Sequence, residues 1–85
     1  MIYSELFIEL IGHLLEGKIT REGVATRMAR EVPIDKVYGE NQELLENCEW
    51  SLRHVNEPGY YTTTAELEYY LRCLRGDEIF KIEER

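Results

Sequence analysis

In the first sixteen residues Leu6, Phe7, Leu10, Ile11, Leu14 and Leu15 recur at intervals of three and four, with the acids Glu5, Glu9 and Glu16 mostly between them. A strand alternates faces every second residue and cannot gather those six on one side; a helix of 3.6 residues per turn does. The same period returns in three later stretches, and each stretch ends on a stop signal: Gly17, Pro33, Pro58-Gly59 and Gly76. Glycine supplies the left-handed residue that closes a helix, and proline disfavours helix in the residue before it. A chain punctuated in this way reads as a small all-α, four-helix domain.

Local chemistry sharpens the ends. Thr20 is a good N-cap for the second helix, and Ile19 before it is placed to staple onto Val24. Val24, Ala25, Met28 and Val32 make its buried stripe, with Arg21, Arg27 and Arg30 expected on wetter faces. Only Gly17, Lys18 and Ile19 separate the first two helices, so they are expected to form an antiparallel hairpin. Gly12, inside the first helix, costs up to about 1 kcal/mol relative to Ala, which suggests the close approach of another backbone there. Residues 34–40 are a connector in which Asp35 could cap a single turn. Asn41 can cap a third helix running to about Val55, whose apolar face is Leu44, Leu45, Cys48, Leu52 and Val55. Thr63 to Glu66 is a capping box for the fourth helix, with Leu67, Tyr70, Leu71 and Leu74 as its stripe and Ala65, Tyr69 and Cys73 alongside. The tail has two readings. Ile79, Phe80 and Ile82 can form a short strand beside Tyr60 and Tyr61, giving an α+β alternative, or one more helical turn.

At 85 residues there is room for a single domain, 1–85. A chain of that size exposes about 5,300 Å² of the roughly 14,600 Å² of its unfolded form, so about 64% is buried, which leaves little interior for a cofactor cavity. No cofactor is expected. Seventeen acids against ten bases give a net charge of −7, and eleven of those acids but only five of the bases fall at 40–85. So acidic a chain is repelled by duplex nucleic acid and by anionic membrane surfaces. No apolar run approaches the roughly 20 residues of a membrane span, and Glu5 and Glu9 interrupt the hydrophobic start, so no signal peptide is expected.

Catalytic patterns are missing. Ser4 and Ser51 lack a G-x-S-x-G elbow, and neither a phosphate-cradling loop nor a dinucleotide fingerprint occurs. The expectation is a protein that is not an enzyme. Cys48 and Cys73 stand 25 positions apart with no zinc-ligand spacing, and both fall on or beside apolar stripes. They read as buried reduced thiols in a cytoplasmic setting, with a mutual disulfide and a metal or reactive role as the lesser readings. Glu9, His13 and Glu16 share one side of the first helix and are weak metal candidates, but no matching Glu-x-x-His pair comes from a second helix. His54, with Trp50 before it and Glu57 after it, reads as a surface or edge histidine.

What remains is a surface. Glu40, Glu43, Glu46 and Glu49 recur every third residue along the third helix, and Trp50, Tyr60, Tyr61 and Tyr69 lie on or near exposed positions. Carboxylates attract a basic partner over distance, and Tyr and Trp anchor protein contacts. These eight residues are the candidate partner-binding set, and the partner is expected to be another protein with a basic surface. The rival readings are a metal-binding bundle on Glu9, His13 and Glu16, or a structural homodimer or assembly subunit.

The stretch GKITREGVATRMAREV, followed after a third helix by GYYTTTAELEYYLRCLRG, resembles a pattern found in small uncharacterised bacterial helical proteins. Some of these are similar to immunity proteins of the colicin-protecting type. The resemblance spans Leu14 to Gly76 and implies a small helical partner that blocks a toxin; it carries over no catalytic residue.

Overall fold

A computed structural model describes residues 2–33, 42–60 and 62–81 of the chain. Among the described residues four helices follow one another: α1 (Ile2–Leu15), α2 (Arg21–Glu31), α3 (Gln42–Arg53) and α4 (Thr64–Leu74), with one 3-10 turn at Pro58–Tyr60 before the last. Among the described residues there is no strand, so the domain is all-α. The strand pair of the α+β reading does not form there. Tyr60 lies in the 3-10 turn and residues 79–81 are irregular, while Tyr61 and Ile82 fall outside the described residues, as do the connector with Asp35 and the Asn41 cap.

Both glycine stops have the same construction. Gly17 (φ 77°) and Gly76 (φ 85°) take the left-handed conformation. Around Gly17, the Lys18 N–H donates to the His13 carbonyl at 2.8 Å and the Gly17 N–H to Leu14 at 3.2 Å. Around Gly76, the Asp77 N–H reaches Arg72 at 2.9 Å and the Gly76 N–H reaches Cys73 at 3.1 Å. Each is a Schellman motif, which satisfies carbonyls that a helix end leaves open. At the opposite ends, Thr20 Oγ1 accepts from the Gly23 N–H at 3.0 Å. Thr63 and Glu66 close a full capping box, at 3.1 Å and 3.2 Å. The α3 helix stops at Arg53, short of Val55, and its last turn continues through the His54 N–H, which donates to the Trp50 carbonyl at 3.1 Å.

Phe7, Leu10 and Ile11 of α1, Val24 and Met28 of α2, Leu44, Leu45, Cys48 and Leu52 of α3, and Leu67, Tyr70 and Cys73 of α4 fill the core, with Val32 and Val55. The buried side of α4 is turned slightly from the expected stripe: Cys73 is inside, while Leu71 and Leu74 are half-buried. The most extensive packing includes one pair that is far apart in the chain. The closest pairings are α1 with α4 and α2 with α3, and the α1–α2 pair, joined by the short turn, touches least of the packed pairs. Among the described residues no backbone approaches Gly12: a Cβ added there would meet nothing within 4 Å. Ile19 lies over Gly23, where an added Cβ would be 2.9 Å from its Cγ1, and also packs on the core.

Arg21 is not on a wet face. It is partly buried, and its guanidinium donates to the Val55 carbonyl at 3.2 Å and to the Thr62 carbonyl at 2.8 Å. From the other direction, Arg53 of α3 donates to the Val32 carbonyl at 3.0 Å while holding Glu49. The end of α3 is therefore fixed to both ends of α2. The result has a radius of gyration of 11.8 Å and an accessible surface of 5406 Å², close to what compact chains of this length show.

Candidate interaction surface on the third helix

At 100° per residue, Leu44, Leu45, Cys48, Leu52 and Val55 face the core, and the line opposite them runs through Glu43, Glu46, Trp50 and His54. Spacings of three and four keep those side chains adjacent along the helix. Glu43 and Glu46 are exposed, and Trp50 is 50% exposed, a high value for so large an apolar side chain. The His54 imidazole lies 4.7 Å from the Trp50 ring, centroid to centroid, at 48°. Its Nδ1 is 3.0 Å from Glu57 Oε2, so an acid closes this end of the stripe as well. The ring contact limits the freedom of the indole, and an anchor with few rotamers left loses little entropy on binding.

The four acids of the sequence pattern separate in space. Glu49 is rotated toward α2, only 14% exposed, and bound to Arg53, itself 20% exposed. It serves the joint between α2 and α3. Glu43 and Glu46 share the outer line, and Glu40 lies outside the described residues. The tyrosines separate too. Tyr69 is half-buried, and its hydroxyl accepts from the Lys81 N–H at 2.9 Å and donates to the Ile79 carbonyl at 3.4 Å, so it secures the tail against α4. The Tyr60 side chain and Tyr61 are outside the described residues.

The metal candidates also find other company. His13 Nδ1 lies 4.0 Å from Glu9, but the same Glu9 oxygen faces Arg27 of α2 at 3.6 Å, and Glu16 pairs with Lys18 at 3.2 Å. Among the described residues no group of three His, Cys, Asp or Glu side chains is placed to hold a metal ion. Cys48 and Cys73 are both buried and are not joined in a disulfide. Ser51 is buried and donates to the Tyr70 hydroxyl at 3.2 Å, a polar link between α3 and α4 inside the core.

Sequence reasoning missed two contributors. His54 with Glu57 extends the stripe beyond Trp50, and the i,i+3 and i,i+4 spacings signal it. Phe80 packs its ring 6.1 Å from Tyr69 and 6.3 Å from Tyr70, a contact between the tail and α4 that periodicity does not reach. No protein-family model matches the chain, and neither a curated protein nor a solved structure gives a match.

Proposed function

We propose that the protein is a non-enzymatic interaction module that docks a basic protein partner through the outer stripe of α3. The observation that carries this reading is the half-exposed Trp50, held against His54 and flanked along one helix line by Glu43 and Glu46. The carboxylates steer a cationic surface into contact, and the indole supplies the desolvated anchor once it arrives. The net charge of −7, concentrated at 40–85, extends that steering beyond the stripe. In its specific form the protein is an immunity-type inhibitor, covering the cationic face with which a nuclease toxin would hold phosphates. The setting is cytoplasmic, in keeping with two cysteines that form no disulfide; among the described residues no helix is long and apolar enough to cross a membrane.

Capture from a lysate of the native cell tests this, with the immobilised wild type run beside Trp50→Ala and the pair Glu43→Lys/Glu46→Lys. A partner with a basic surface that the wild type retains, and both folded variants lose, supports the stripe. Equal retention by all three removes α3 from the mechanism.

A further inference from the structure

The start of α3 and the end of α4 leave an open groove between them, about 540 Å³ in volume. Leu44 and Cys73, both nearly buried, form its floor. Phe80 forms a wall braced by the rings of Tyr69 and Tyr70. Ile79, 79% exposed, stands at the rim. Two carboxylates, Glu43 and Glu78, also line it, and among the described lining residues there is no basic side chain. Arg72 Nε fixes Glu78 through Oε1 at 2.8 Å, and a carboxylate so held keeps acceptor sites for further donors. Gly76 brings the C-terminal end of α4 to the same place, where the helix dipole favours a cation.

We infer that this groove takes an arginine or lysine of a partner polypeptide together with an apolar neighbour. The aliphatic stem lies along Leu44 and Phe80, the cationic head meets Glu43, Glu78 and the end of α4, and the neighbour covers Ile79. Charge complementarity favours a cationic occupant: Glu43, the acceptor sites that Glu78 keeps beside Arg72, and the negative end of a helix all disfavour an anion. The volume falls in the range of ordinary ligand clefts and suits a short peptide segment rather than an ion. The inference rests on the reading that α3 meets a basic partner and extends it. Glu43 belongs to both surfaces, and seven residues of helix, about 10 Å, separate it from Trp50. One partner chain can therefore engage both.

The test titrates the isotope-labelled full chain with acetyl-Leu-Arg-Phe-Arg-amide and, in parallel, with the same peptide carrying citrulline for arginine. Saturable shifts of the Leu44, Cys73, Gly76, Ile79 and Phe80 amides are expected, with a Kd of about 1 mM or tighter. The citrulline peptide should bind at least about fivefold more weakly, and the Glu43→Gln/Glu78→Gln variant should lose the preference for arginine. The absence of saturable shifts at those amides, equal binding of the two peptides, or an unchanged preference in the double variant would overturn the inference. Trp50→Ala should bind the peptide as the wild type does. Failure of the groove thus appears in this titration, and failure of the α3 reading in the partner capture.

Discussion

Arg21 shows most clearly how single side chains organise this molecule. Its two acceptors are the carbonyls of Val55 and Thr62, 34 and 41 positions away. Both lie where the chain leaves α3 and approaches α4, outside any helix ladder that could satisfy them. Truncation to Ala removes donors from partly buried carbonyls, and such groups cost about 1–3 kcal/mol when left unpaired. Arg21→Ala should therefore lower stability by about that amount in a urea titration, and Arg21→Lys should recover only part of it, because one ammonium does not reproduce the fork. A loss within about 0.3 kcal/mol would show the clip to be inert. None of this is visible in the sequence, where Arg21 looks like one more cation on an amphipathic helix: local spacing says nothing about carbonyls so distant. The Glu49–Arg53 pair was half legible. Its i,i+4 spacing is in the sequence, but its turn toward the Val32 carbonyl depends on how α3 crosses α2.

At the scale of elements, the ends are local chemistry and could be read directly. A capping box needs only residues three apart, and a Schellman motif only a left-handed residue, so Thr63, Glu66, Gly17 and Gly76 announce themselves. Thr63→Ala should cost about 1 kcal/mol in thermal or chemical unfolding, and Gly76→Ala about 1–2 kcal/mol, since any Cβ resists φ 85°. The tail was less legible. Ile79, Phe80 and Ile82 alternate like a strand, yet the described part is held by the Tyr69 hydroxyl and by ring contacts of Phe80. Those depend on α4 having already presented its tyrosines. Which helices pair was hidden for the same reason: a short turn over residues 16–20 makes α1 and α2 neighbours in the chain, but each packs more extensively against the second half of the molecule.

For the whole molecule, the surface stripe and the acid response are separate consequences of how charge is distributed. Arg27 ties Glu31 within α2 at 2.8 Å and faces Glu9 of α1 at 3.6 Å. The hydrogen bond from Arg27 holds the Glu31 carboxyl below its ordinary value of 4.5. A depressed carboxyl stabilises the fold above the unfolded pKa, and that contribution fades as pH falls through the folded one. The stability difference between wild type and Glu31→Gln should stay constant near neutrality and shrink in titrations taken below about pH 4. A difference that grows on acidification would reverse the assignment. The outer line of α3 could be anticipated as acidic and aromatic, but not that Glu49 and Tyr69 are committed to internal joints. That sorting follows from which neighbours the helices find.

The association rate with the captured partner, followed by stopped flow from low to high salt, tests the central claim most directly. The wild type should associate at least about tenfold faster at low salt than Glu43→Lys/Glu46→Lys, and the two rates should converge as salt screens the charges. Trp50→Ala should leave the rate nearly unchanged and shorten the lifetime of the complex. Rates equal at every salt concentration, with both variants folded, would contradict the account.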